Sequence, residues 1–228
     1  MYGVDVALTR ADDLDKKMLA YVTEHMSTEK RSNDVLKTSD VLSIGEVGLV
    51  TVLDLGCGGG GQSLRLTSTG AQVLCVDVAD YSDSFNTLRK EHDLSATVLL
   101  FIQGDAAALE AVLDDQKFDI CCFQRTIHYV PYDTALIILK CLRTHITDKL
   151  YISVTGIESD IGLNYNDTEK PVEGRFCTLG VEDSEIFHID APVCLYTPEE
   201  FMVLLQDSGW KIEECWVSAF GNIKAVCS

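Results

Sequence analysis

The sequence predicts an α/β domain built on a mostly parallel, doubly wound sheet, and three observations carry that reading. From Leu49 onward, apolar runs rich in β-branched residues alternate with segments of helical spacing. The first run, VLDLGCGGGG at residues 52–61, breaks into glycines where a strand has to turn into a helix. Asp54, Asp77 and Asp105 fall at the ends of three successive apolar runs, which puts three carboxylates on one rim of the sheet.

The elements follow in order. Residues 1 to about 47 mix charges with Leu14, Met18, Leu19, Val22 and Met26 at helical spacing, so N-terminal helices are expected to cover the domain. LVTVLDL is the first strand, and GQSLRLTSTG is a short helix closed by Gly70. AQVLCVD is a second buried strand, YSDSFNTLRKEHD a helix, and ATVLLFIQGD a third strand. AAALEAVLDD reads as helical and KFDICCFQ as a fourth strand. PYDTALIILKCLRTHI is a helix with Pro131 at its start, and KLYISVTG is a fifth strand. TPEEFMVLLQDSGW opens with a threonine cap, a proline and early acids, and stops at Gly209. The closing KIEECWVSAFGNIKAVCS reads as two strands joined by a short connection. Between the fifth strand and the helix of TPEEF, residues 155–196 are long and irregular. A segment of that kind either serves the site or is a surface excursion with its own small helix.

Composition narrows the function. The 228 residues carry 36 acids against 18 basic side chains, a net charge of −18. Such a surface repels a phosphate backbone, and there is no Lys/Arg cluster to offset it, so nucleic acid is disfavoured as a partner. No apolar run reaches the ~18 residues of a membrane span, and the first residues lack the order of a secretory signal. Nine scattered cysteines without metal-ligand spacing suit free thiols in a reducing cytoplasm, and no metal is expected.

Gly56, Gly58, Gly60 and Gly61 allow a tight turn and a close approach of backbone to a nucleotide-like ligand. Gly56, Gly58 and Gly61 also satisfy the G-x-G-x-x-G pattern of dinucleotide sites. Asp77, ending the second strand, has the geometry to accept both hydroxyls of a ribose. Asp105 suits an adenine amino group, and the Ala106 N–H a ring nitrogen.

VLDLGCGGGG, VLCVD, IQGDAAAL, FDICCFQRTIHYVP and YTPEEFMVLLQDSGW, in this order, resemble the class I S-adenosylmethionine-dependent methyltransferases over roughly residues 48–228. The resemblance implies a Rossmann-like sheet of seven strands with the last one antiparallel, an ending that a nicotinamide-binding fold would not explain. It implies that S-adenosylmethionine is the cofactor. Asp54 and the loop of Gly56, Cys57, Gly58 and Gly60 would hold its methionine end. Asp77 would hold the ribose, Asp105 and Ala106 the adenine, with Val78 a further cofactor contact and Gln124 near the methionine moiety. Cys57, inside the loop, is expected to be inert.

Methyl transfer from a sulfonium is an in-line displacement in which alignment alone can remove roughly 7–11 kcal/mol of barrier, so a protein base is optional. His128 in QRTIHYVP is the candidate base if the acceptor must lose a proton. The alternative is a histidine that packs the following helix. Arg125 and Tyr129 are candidate acceptor contacts, although Arg125 would equally suit surface acids. The Asn-Pro-Pro-Tyr signature of adenine and glutamine-amide enzymes is replaced here by QRTI, and the Pro-Cys nucleophile of RNA cytosine enzymes is missing. Residues 155–196 are expected to help cover the acceptor, with Tyr165, Arg175, Phe176 and His188 as lining candidates. The leading reading is a methyltransferase for a small-molecule acceptor. A protein methyltransferase drawn to a basic partner and a non-catalytic cofactor-binding protein remain as alternatives.

Overall fold

The computed structural model describes residues 11–27 and 49–228; the rest of the expected N-terminal cover lies outside the described residues. A helix, α1 (Asp13–Ser27), precedes an alternating series: β1 (Thr51–Leu55), α2 (Gly61–Thr67), β2 (Gln72–Asp77), α3 (Ser82–Glu91), β3 (Leu99–Gln103), α4 (Leu109–Leu113), β4 (Phe118–Gln124), α5 (Tyr132–His145), β5 (Ile146–Thr155), α6 (Val181–Phe187), α7 (Pro198–Asp207), β6 (Ile212–Val217) and β7 (Asn222–Cys227). The seven strands form one sheet in the order β3-β2-β1-β4-β5-β7-β6. Only β7 runs antiparallel, pairing in that sense with both β5 and β6. The seven strands and the antiparallel ending agree with the sequence reading.

Strand periodicity sorts the core into two layers. Leu53, Leu55, Leu74, Val76, Cys121, Phe123, Leu150 and Ile152 face one side, where α4, α5 and α7 bury Leu109, Leu139 and Phe201 against them. The intervening residues Val52, Val73, Cys75, Ile120, Cys122 and Tyr151 face the other side, under α1, α2 and α3 through Met18, Leu66 and Phe85. Both faces of the central strands are therefore covered, which is why these strands read as continuous apolar runs.

Local signals set the helix ends. In α7, Thr197 accepts from the Glu200 N–H at 3.2 Å while Glu200 accepts from the Thr197 N–H at 2.8 Å, a capping box with Pro198 in the first turn. Trp210, just past Gly209, donates its indole N–H to the Leu139 carbonyl at 3.1 Å and locks α7 onto α5. Asp12 and Asp15 cap α1 reciprocally, at 2.8 and 3.0 Å. Pro131 stands at the N-cap of α5, one place before the first turn expected for it.

Residues 155–196 build a small core of their own from Ile161, Tyr165, Leu179, Phe187, Ile189, Val193 and Leu195. The Tyr165 hydroxyl donates to the Val193 carbonyl at 2.6 Å, inside that core. Arg175 is buried and forks onto Glu200 at 2.7 and 3.0 Å, and it also donates to the carbonyls of Leu195 and Lys170. Phe176 packs on the main core, and His188 is an exposed left-handed cap at the end of α6. All four were expected as lining residues; Tyr165 is bonded inside this small core, Arg175 ties the segment to α7, Phe176 packs on the main core and His188 ends α6 at the surface.

Replacing Arg175 by Ala leaves a carboxylate and several carbonyls without their donor. The variant is expected to lose about 3 kcal/mol of stability in denaturant unfolding while turnover per folded molecule holds. Unchanged stability with lost turnover would return Arg175 to the acceptor site.

Candidate active site

The strand order reverses between β1 and β4: the chain leaves β1 toward β2 and leaves β4 toward β5. In an open α/β sheet the crevice at such a point, beyond the carboxyl ends of the strands, is where ligands bind. A cavity of about 580 Å³ opens there. Asp54, Gly56 and Cys57 reach it from β1, Cys122, Gln124 and Arg125 from β4, and Gln62 and Arg65 from α2. The start of α1, through Asp12, Asp15 and Lys16, and the β6–β7 turn, through Val217, Phe220 and Asn222, close the remaining sides.

The glycine turn fits its place for two separate reasons. Gly56 has φ +70, and a Cβ there would overlap the Thr126 side chain, so the β1 and β4 turns touch through a glycine. Gly58 has φ +52 and nothing within 4 Å of a would-be Cβ, which leaves its backbone open as a cradle. The Gly58 N–H donates to Asp77 at 2.9 Å, and the other Asp77 oxygen accepts from the Ala79 N–H at 3.0 Å. The Asp77 carboxylate is thereby oriented on the rim with lone pairs to spare. Gly60 precedes the first turn of α2.

Asp54 follows Val52 on the α2 face of β1, a position that would otherwise be apolar. It is 3% exposed, and Ser63 of α2 donates to it at 2.6 Å. Burial pushes its pKa up to about 6, against the opposing hydrogen bonds from Ser63 and Cys122. Gln62 has a buried side-chain N–H₂ with no partner among the described residues. Arg65 donates to the Gln62 amide oxygen at 2.7 Å, which fixes the amide with its nitrogen turned the other way. A buried, unpartnered donor costs free energy unless a ligand accepts from it. An orphan donor and a buried carboxylate in one cavity, beside the open backbone of Gly58, fit the zwitterionic methionine end of an S-adenosylmethionine-type cofactor.

The remaining expected positions spread along the rim. Val78, 67% exposed, follows Asp77, and its carbonyl accepts from the Gln103 amide at 3.0 Å. Asp105 accepts from the Ala107 N–H at 2.8 Å and caps a short turn at Ala106–Ala108. These groups border the adjoining ends of β2 and β3, outside the cavity itself. The Cys57 thiol is turned toward Cys75, and that contact together with burial raises its pKa above the usual thiol range.

His128 lies elsewhere. It is buried, with Nε2 3.5 Å from the Thr155 hydroxyl, its ring 4.4 Å from that of Tyr129, and its backbone carbonyl accepting from Cys194. Among the described residues it does not line the cavity, and neither does Tyr129. Burial, with Arg125 nearby, pulls its pKa down to about 3, where an imidazole is a feeble base. Its Nδ1 is buried and has no hydrogen-bond partner among the described residues.

Sequence reasoning expected an N-terminal helical cover but named none of the polar residues through which α1 and β7 line the cavity. Gln124 donates to Asp15 at 2.6 Å, and Arg65 comes within 3.9 Å of the same carboxylate. Lys224, buried in β7, pairs with Asp12 at 2.6 Å and with Asp13, while Trp216 donates to Asp13 at 2.8 Å. Lys224 carried a readable signal as a lone charge in the apolar run NIKAVC. The acids of ADDLDKK carried none, because they resemble any acidic helix start.

Two buried groups predict opposite pH dependences. Asp54 binds its proton more tightly folded than unfolded, so its contribution falls as pH rises from about 4 to about 6, by up to about 3 kcal/mol. His128 binds its proton less tightly folded, so its contribution falls as pH drops from about 6.5 toward 3. Stability measured against pH for Asp54→Asn should show a gain over the parent that grows from pH 4 to pH 6 and then levels. For His128→Gln the gain should grow as pH falls. Differences from the parent that are flat with pH would mean that neither group is buried as described.

A family model described as a methyltransferase domain matches residues 53–148, the half of the sheet that carries the glycine turn. Solved structures share the fold over most of the chain. The 1,6-didemethyltoxoflavin-N1-methyltransferase of Burkholderia thailandensis, with 1,6-didemethyltoxoflavin and S-adenosylhomocysteine bound, aligns at TM-score 0.61 with 14% identity, over 94% of this chain and 77% of its own. The magnesium protoporphyrin IX methyltransferase of Synechocystis PCC 6803, with S-adenosylhomocysteine bound, aligns at 0.58 and 13%, over 93% and 80%. A SAM-dependent methyltransferase of Methanosarcina mazei aligns at 0.60 and 22%, over 78% and 92%. The chain thus carries a stretch similar to a methyltransferase domain at residues 53–148 and shares the seven-stranded fold, with its antiparallel last strand, of these solved methyltransferases.

Proposed function

We propose that the protein transfers a methyl group from S-adenosylmethionine to a small-molecule acceptor that carries a carboxylate. The observation that carries this reading is the continuity of one cavity. The cofactor-type groups Asp54, Gly56 and Gln62 and the side chains Arg125, Phe220 and Asn222 line the same space. Its volume falls within the roughly 300–1,000 Å³ of small-ligand sites. The α1 start, pinned by Lys224, Gln124 and Arg65, narrows the approach that a protein substrate would need. Two similar folds whose names state small-molecule acceptors, a toxoflavin precursor and a magnesium porphyrin, support the same class.

The cofactor, when bound, supplies an electrophilic methyl group on a sulfonium. The chain's own residues supply place and field. The Gln62 N–H₂ suits the methionine carboxylate, and Asp54 and Asp15 set a negative field that favours a cationic centre. Asp77 suits the ribose hydroxyls, with Val78, Asp105 and Ala106 beside the adenine. Arg125 suits the acceptor's anion. Its backbone is held left-handed at φ +51 by N–H bonds to the Ser153 carbonyl and hydroxyl, and non-glycine residues in that conformation cluster at functional sites. Phe220, 67% exposed, offers an apolar face to the acceptor's body. Residues of 155–196 are absent from the lining among the described residues, whereas the start of α1 and the β6–β7 turn line it.

A panel of small carboxylates and their neutral amide or ester analogues, assayed for S-adenosylhomocysteine formation, tests this reading. Turnover is expected with carboxylates. Arg125→Ala should raise KM about 10- to 100-fold, the worth of a charge-assisted bond, with kcat little changed. Turnover of a basic peptide with none of the small molecules would replace this reading with protein methylation. His128→Ala should keep most turnover per folded molecule.

A further inference from the structure

We propose that Glu110, Cys141 and His145 form a binding site for a zinc-class divalent cation that clamps α4 to α5. Cys141 and His145 are four residues apart and share one face of the last turns of α5. Glu110 comes from the first turn of α4, 31 residues earlier than Cys141, which is why no ligand spacing is visible in the sequence. One Glu110 oxygen stands 3.2 Å from His145 Nε2 and 3.3 Å from Cys141 Sγ, and the three ligand atoms lie within 4.8 Å of one another. Bonds of about 2.0–2.3 Å at tetrahedral angles put ligand atoms roughly 3.3–3.6 Å apart, so small side-chain rotations complete the geometry.

The hydrogen bonds around the histidine point the same way. His145 Nδ1 lies 2.7 Å from the Gln116 carbonyl, which can only accept, so the proton sits on Nδ1. In a neutral imidazole, Nε2 then presents a lone pair to a carboxylate oxygen that also presents lone pairs. Two acceptors 3.2 Å apart need a proton or a cation between them. The ring is 2% exposed, and an Nδ1–H held by a carbonyl is the usual outer support of a metal-bound histidine. Glu110 is 77% exposed and leaves the fourth position to water.

A thiol, an imidazole and a carboxylate together select zinc over magnesium or calcium. Cys141 is half-buried. Cation binding forms a metal–sulfur bond and releases the thiol proton to solvent. Lys117 lies close by, but its ammonium is drawn to the Thr144 carbonyl at 2.8 Å. The site sits beside the amino ends of β4 and β5, at the opposite end of the sheet from the cavity, so it acts on stability rather than on methyl transfer.

Cobalt(II) titrated into the untagged full chain, followed by absorbance, tests the site. One equivalent should produce a sulfur-to-cobalt charge-transfer band with tetrahedral visible bands, and zinc should displace them. Cys141→Ser should abolish the charge-transfer band. Glu110→Gln should weaken binding by more than the roughly 10–100-fold that loss of an outer partner costs. Cys215→Ser, on distant β6, should change neither. Affinity should rise with pH, and zinc should raise the melting temperature of the parent but not of Cys141→Ser. No charge-transfer band at one equivalent, or a band that survives Cys141→Ser, overturns the proposal and leaves a hydrogen-bonded triad.

Discussion

The structure depends on one constraint: β1 must be buried on both faces while the chain departs from its two flanks in opposite directions. Burial on both faces commits Val52 and Leu53 to separate cores. Departure in opposite directions leaves a crevice at the carboxyl end that no helix fills. Asp54 stands where those two facts meet. Its parity puts it under α2 among apolar neighbours, and that burial raises its pKa to about 6. A carboxylate in that position is a concession of stability to the site, with Ser63 as the partial compensation.

Around that carboxylate the site is assembled by topology rather than by sequence neighbourhood. The glycine turn is local, but Arg125 arrives because β4 lies next to β1. Phe220 arrives because β7 folds back antiparallel to β5, carrying the β6–β7 turn to the same rim. The start of α1 is held by Lys224, more than two hundred residues away in the chain. Charge explains the direction of this closure: the acids of α1 meet cations and amides from three other elements, so that a chain with net charge −18 gathers part of its scarce positive charge at its ligand site.

The strands, their order of appearance and the acids at their ends are legible in the sequence because each signal is local. Apolar runs, a glycine break and a strand-end aspartate need no partner to be recognised. The α7 cap is legible for the same reason, since Thr197, Pro198 and Glu200 satisfy one another within a turn. Residues whose role is set by distant partners are not legible. Arg175 and Tyr165 look like site residues in a long irregular segment, yet Tyr165 is bonded inside its small core and Arg175 ties it to α7, because a buried excursion must satisfy its own backbone. His128 lies three residues beyond the rim residue Arg125, but the short turn at Ile127–Tyr129 carries it behind that rim into the packing against Thr155. The α1 latch is invisible until the fold brings Lys224 to it.

The central claim is that the crevice beside Asp54 takes the methionine end of S-adenosylmethionine through the unpartnered Gln62 donor. Calorimetric titration of S-adenosylhomocysteine into the parent and Gln62→Glu is the direct measurement. The substitution keeps an acceptor for Arg65 and replaces the orphan donor with a carboxylate. The account predicts one site per chain in the parent and affinity at least about tenfold weaker in the variant, the loss expected for a bond to a charged group. Equal affinity in the two proteins, or binding of a nicotinamide dinucleotide in place of S-adenosylhomocysteine, would contradict it.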